Sequence, residues 1–182
     1  MEKHGIALIG FRGVGKSTVG RLLATRMGWS FLDMDALLVE SFGRDISEWV
    51  GEHGWDAFRE EESTSLARLS PQRRLVLATG GGVILRSENR KALKKNFFVA
   101  WLHATPETTL IRLREDPQSP GLRPALTNLP LKEEIERVLT ERRPFYEESA
   151  DLALQTDDAS PTELTIRIHG EALKAGLDTP GS

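Results

Sequence analysis

The chain has 182 residues, of which 39% are apolar and 28% charged, with a net charge of −3 and no cysteine. That composition fits a water-soluble globular domain with enough residues to bury a core. It excludes disulfides and cysteine-ligated metals, and it argues against a broad basic face for nucleic acid or membrane lipid, so any anion must be held by a local cluster of arginines.

The first strand is predicted at Ile6-Ala7-Leu8-Ile9, a short apolar run of buried type. It begins almost at Met1, so no signal peptide is expected. Gly10-Phe11-Arg12-Gly13-Val14-Gly15-Lys16-Ser17 comes next and matches the pattern G-x-x-x-x-G-K-[ST]. Val19, Leu22, Leu23 and Met27 then recur as one face of a helix. Strand, glycine loop and helix are in the order a phosphate-binding loop needs. The N–H groups from Gly13 and Val14 through Gly15, Lys16, Ser17 and Thr18 form an anion nest. Lys16 brings charge to the terminal phosphates, and the Ser17 hydroxyl suits Mg²⁺.

Gly28 ends this helix. Trp29 to Asp35 reads as a second strand running into two acids, with Asp33 and Asp35 two apart and so on one face. Ala36 to Phe42 is helical and stops at Gly43. Asp45-Ile46-Ser47-Glu48 predicts a capping box for a short helix, Ile46 to Val50, which Gly51 to Gly54 breaks. Trp55 to Leu69 is a longer helix.

Leu75 to Ala78 is the third strand, and it runs directly into Thr79-Gly80-Gly81-Gly82. Successive glycines at a strand's carboxyl end suit a ligand that approaches the main chain. Ser87 to Asn96 is a basic surface helix, and Phe97 to Leu102 the fourth strand. Thr105-Pro106 starts a helix that fails near Glu115. Asp116 to Pro124 carries three prolines and a glycine and reads as a mobile lid. Leu131, Ile135, Val138 and Leu139 mark a helix running toward Arg142, Arg143 and Tyr146. Leu152 to Thr156 is the fifth strand. Ser160-Pro161-Thr162-Glu163 predicts a capped helix start, although Leu164, Ile166 and Ile168 alternate as in a strand.

Five buried strands alternating with helices predict an α/β fold, a parallel sheet covered on both faces. One domain is expected over residues 1–176, with a substrate-binding region at about 34–62, a lid at about 114–127 and a tail at 177–182. A GTPase would carry N-K-x-D, which the chain lacks, and a motor or transporter would be longer. A compact kinase for a small acceptor remains.

The chain resembles the shikimate kinases. The resemblance runs from the first strand to the last, through GFRGVGKSTVGRLLA, FLDMDALL, FREEE at Phe58 to Glu62, LATGGGV at Leu77 to Val83, LRPAL at Leu122 to Leu126, and ERRPFYEESADL at Glu141 to Leu152. It implies a five-stranded sheet of nucleoside-monophosphate-kinase type in the order 2-3-1-4-5. It also implies transfer of the γ-phosphoryl group of ATP to the 3-hydroxyl of shikimate with Mg²⁺, by a monomer, while the absence of cysteine fits a cytoplasmic chain and the net charge one that binds no nucleic acid or membrane. Under that resemblance Arg59 and Arg142 hold the substrate carboxylate, Glu62 steadies Arg59, and Gly80, Gly81 and Gly82 face the substrate. Asp35 meets the reacting hydroxyl, while Asp33 supports Mg²⁺ with Ser17 as a direct ligand. Lys16 and the lid's Arg123 supply charge at the transferring phosphate. Arg114 and the turn before Pro161 are expected beside adenine. Arg123-Pro124-Ala125-Leu126 departs from the family's R-P-L-L, and the lid is slightly long. A gluconate-type kinase and a non-catalytic ligand sensor are the alternatives.

Overall fold

A computed structural model describes residues 3–116 and 124–177. Residues 117–123 of the expected lid, Arg123 among them, and residues 178–182 of the expected tail lie outside the described residues; Leu177, also expected in the tail, is instead buried in the core.

Five strands, β1 (Gly5–Ile9), β2 (Ser30–Asp33), β3 (Leu75–Ala78), β4 (Phe97–His103) and β5 (Leu152–Gln155), form a single all-parallel sheet in the order β2-β3-β1-β4-β5. The order is the expected one. Seven α-helices are described: α1 (Lys16–Met27), α2 (Met34–Phe42), α3 (Ile46–Leu69), α4 (Ser87–Asn96), α5 (Pro106–Glu115), α6 (Leu131–Ser149) and α7 (Pro161–Lys174).

The alternation of side chains along β1 divides the core. Ile6 and Leu8 pack with Val19, Leu23 and Met27 of α1 and with Leu164 and Ile168 of α7. Ala7 and Ile9 pack with Leu66 and Leu69 of α3, Leu93 of α4 and Tyr146 of α6. The central strands β1, β3 and β4 are therefore dry on both faces, which is why they read as unbroken apolar runs, whereas the edge strands β2 and β5, expected to be buried, are largely half-buried or exposed because each has a neighbour on one side only. Each fully buried leucine or isoleucine contributes about 1.5–3 kcal/mol relative to exposure. A third cluster, Leu38, Ile46, Val50 and Phe58, fastens α2 to α3.

Several local expectations change. Leu22 is 41% exposed, so the buried stripe of α1 is Val19, Leu23 and Met27. The second strand stops at Asp33, and Asp35 lies in the first turn of α2. Asp33 ends the strand because its carboxylate accepts from the Asp35 and Ala36 N–H groups and so caps the helix. No side-chain hydrogen bond forms at Asp45. The helix begun at Ile46 continues through Gly51 and breaks only at Gly54 (φ 83, ψ 167), a backbone state that L residues avoid. The capping signals of Ser160 prevail over the strand-like alternation after it, and the full Ser160–Glu163 capping box forms.

Candidate active site

Three strand ends meet at the carboxyl edge of the sheet. Leu8 pairs with Ala78, and Ala78 with Asp33, so β3 and β2 stop at one level and β1 one residue beyond it. Thr79 fixes the course of the chain as it leaves β3, because its N–H and its hydroxyl both donate to the Leu8 carbonyl, at 3.1 and 3.0 Å. In open parallel sheets ligands bind beyond such ends.

The phosphate loop leaves β1 at Gly10. A Cβ there would stand 2.1 Å from the Leu102 carbonyl oxygen of β4, so only glycine lets the loop cross its neighbour so closely. Gly15 caps α1, whose first turn carries no acid, so the positive end of the helix is left for an anion. The Lys16 ammonium is buried and donates to the carbonyls of Gly10 and Phe11, each at 2.8 Å. Ser17 donates its hydroxyl hydrogen bond to Asp33 Oδ2. A hydroxyl and a carboxylate are hard oxygen donors, the kind Mg²⁺ takes in ones and twos beside substrate phosphates. Among the described residues no cluster of three or more His, Cys, Asp or Glu forms a closed metal cage.

Beside this loop lies a pocket whose charged wall is Arg12, Asp35, Arg59, Glu62 and Arg142. Its apolar wall includes Phe11, Trp55, Phe58 and Leu126. Arg59 and Glu62 stand one turn apart on α3 and form an ion pair. The Arg59 guanidinium also lies 5.0 Å from the Trp55 ring centre. Glu62 is 1% exposed and its Oε1 has no hydrogen-bond partner. Burial pushes its carboxyl above the ordinary range, against the opposing pull of Arg59. From the far side Arg142 of α6 reaches over and donates to the Gly81 carbonyl at 3.0 Å. Burial and the nearby Arg59 charge lower its pKa from the usual arginine value. Two desolvated guanidiniums thus share one cavity with only partial compensation, an arrangement that an entering carboxylate would relieve.

The glycines form the floor of this pocket. A Cβ on Gly80 would stand 2.3 Å from Glu62 Oε1, and one on Gly82 would stand 2.2 Å from Arg59 Nη1. Their lack of a side chain leaves room for the acid–base pair of α3.

Of the residues singled out in the sequence, Asp35, Arg59, Gly80, Gly81, Gly82 and Arg142 converge on the pocket, and Lys16, Ser17 and Asp33 on the phosphate loop. Asp33 and Asp35 reach different partners, because the strand ends between them. Thr18 is exposed on α1, Arg114 on α5, and Pro161 at the start of α7. On α5 it is Arg112 that is held, donating to the Thr156 hydroxyl and carbonyl at 2.8 and 2.7 Å. Sequence reasoning misses Arg12, Glu134 and Tyr146. Tyr146 donates to Gly81 O at 2.6 Å and stacks on Trp101. It stands one turn beyond Arg142 on the same helix face, which was the available signal. For Arg12, in a variable position of the loop motif, and for Glu134, in an acidic helix start, the sequence offers none.

A family model described as shikimate kinase matches residues 12–172 of this chain. A shikimate kinase of Nitratidesulfovibrio vulgaris is 43% identical over 152 residues, which cover 84% of this chain and 86% of that protein. One from Moorella thermoacetica is 40% identical over 174 residues, 96% of each chain. Among solved structures, shikimate kinase from Acinetobacter baumannii in complex with shikimate has a TM-score of 0.88 at 33% identity, covering 97% of this chain and 96% of that one.

Proposed function

The chain belongs to the shikimate kinase family, and from that premise we propose how its residues divide the work of moving the γ-phosphoryl group of ATP to the 3-hydroxyl of shikimate. The observation that carries the reading is the convergence of Arg59 and Arg142, from two separate helices, on a glycine floor beside the phosphate loop.

Shikimate is a small carboxylate with three hydroxyls. Arg59 and Arg142 take the carboxylate, since a guanidinium offers paired donors in matching geometry. Glu62 keeps Arg59 in place. Asp35, on the same cavity, aligns the reacting hydroxyl and accepts its proton late in the transfer. The phosphate loop from Gly13 to Thr18 holds the nucleotide phosphates, with Lys16 exchanging its own-loop carbonyls for phosphate oxygens. Ser17 and Asp33 are the residues that would hold Mg²⁺, which neutralises phosphate charge when bound. Phosphoryl transfer passes through a loose transition state, so positioning and charge carry most of the catalysis. Arg123, outside the described residues, remains the sequence's assignment for a further cation, and Arg114 and Pro161 its assignments for adenine. The chain is proposed to be cytoplasmic, in keeping with its lack of cysteine, and to act as a monomer, as the family resemblance implies.

Release of ADP from ATP and Mg²⁺ should depend on shikimate and should be far slower with quinate, gluconate or water. Equal rates with gluconate or with water would overturn the reading. The relatives do not favour the gluconate-type kinase or the non-catalytic sensor.

A further inference from the structure

The Arg12 side chain leaves the phosphate loop and lies 10% exposed between two distant parts of the chain. Its Nη2 pairs with Glu134 Oε1 in the first turn of α6, and its Nη1 donates to the Pro124 carbonyl at 3.4 Å. Glu134 is 1% exposed. Its other oxygen, Oε2, accepts from the Thr127 N–H at 2.7 Å and the Thr127 hydroxyl at 3.1 Å. One buried carboxylate therefore gathers the phosphate loop, the segment Pro124 to Thr127 and the start of α6. Arg12, Pro124 and Leu126 also line the cavity that holds Arg59 and Arg142.

A carboxylate is costly to bury, and here it is tolerated because donors meet both oxygens and the helix start favours negative charge. A buried pair of this kind need not stabilise the fold more than an apolar pair would. What it does supply is direction, since the planar guanidinium and the two-pronged carboxylate fit in few ways. The phosphate loop holds the phosphoryl donor and the pocket holds the acceptor. In such a reaction a misplacement of about 1 Å costs roughly 100-fold.

We propose that Glu134 is a positioning residue for the acid pocket: it aims Arg12 into the pocket wall and fixes Pro124 to Thr127 beside it, setting the distance between phosphate loop and acceptor. The proposal rests on the reading of this pocket as the shikimate site.

Two variants test it, Glu134→Gln and the double variant Arg12→Met/Glu134→Met. Glu134→Gln keeps an acceptor for Thr127 and removes the charge that orients Arg12. It should raise the KM for shikimate about tenfold and lower kcat by a similar factor, while the KM for ATP stays within about twofold. The double variant replaces the ions by side chains of similar volume, so its Tm should stay near that of the wild type apart from the loss of the two Thr127 hydrogen bonds. It should nevertheless show the raised shikimate KM and lowered kcat. A merely structural pair would predict the opposite, full recovery of both constants with the recovered fold, and that result overturns the proposal. Should the double variant not fold, a wild-type shikimate KM in Glu134→Gln overturns it alone. A wild-type enzyme that releases no ADP with shikimate would instead remove the functional reading and this proposal with it, so the two failures are told apart.

Discussion

Arg142 and Tyr146 stand one turn apart on α6 and donate to the same atom, the carbonyl oxygen of Gly81, at 3.0 and 2.6 Å. The pair pins the glycine floor to α6. Burial pushes the Tyr146 phenol up to about 12, so it stays a neutral donor throughout the working range of the enzyme. Tyr146→Phe keeps the ring on Trp101 and deletes one donor. It should cost about 1 kcal/mol, a few-fold in shikimate KM, with nucleotide affinity and the pH profile unchanged. Steady-state kinetics on both substrates will show whether Arg142 alone suffices.

Arg59→Lys and Arg142→Lys test the carboxylate clamp. Lysine keeps the charge and loses the paired donors. Each substitution should weaken shikimate about 10- to 100-fold by calorimetry and leave ADP affinity nearly intact. Normal shikimate binding in either variant would show that its arginine is wrongly assigned.

The glycines separate folding from binding. A Cβ on Gly82 would come nearest to the end of the Arg59 side chain, whereas a Cβ on Gly10 meets the Leu102 backbone oxygen. Gly82→Ala should therefore be destabilised less than Gly10→Ala, by the disturbed Arg59–Glu62 pair, and should lose shikimate affinity, because Arg59 must move. Gly10→Ala should be strongly destabilised. Thermal melts combined with shikimate titrations distinguish the two, and a Gly82→Ala enzyme with normal shikimate KM would place Arg59 elsewhere during catalysis.

The two acids of the β2–α2 junction should behave differently. Asp33 is joined to Ser17 and caps α2, so Asp33→Asn should raise the Mg²⁺ requirement. Asp35 faces the pocket, so Asp35→Asn should lose turnover by about 10²- to 10⁴-fold and still bind nucleotide. Identical Mg²⁺ dependence in both variants would end this division of labour.

Glu62 carries a pH signature. Burial raises its folded pKa above the ordinary 4.5, against the pull of Arg59, so the folded chain binds this proton more tightly than the unfolded one. Its contribution is fully present below the unfolded value and is lost as pH rises through the folded one. Subtracting Glu62→Gln from the wild type in urea unfolding should therefore give a difference that falls with rising pH over this window. A difference that rises instead would mean that Arg59 outweighs burial.

The elements and the phosphate site were legible in the sequence. The β1 run, the glycines of the loop, Lys16 and the Ser160 capping box act within a few residues of themselves, and short-range chemistry survives in almost any surroundings. Of the failures, one was settled by local capping and the other by tertiary burial. Asp33 became a cap where a strand was expected to continue, and Leu22 was left in solvent because the sheet meets α1 along Val19, Leu23 and Met27. The pocket belongs to the tertiary structure. Arg142 reaches Gly81 across 61 residues and Arg12 reaches Glu134 across 122. No pattern announces such pairs, because they exist only once the order β2-β3-β1-β4-β5 has set β3 beside β1 and brought α3 and α6 to the same edge.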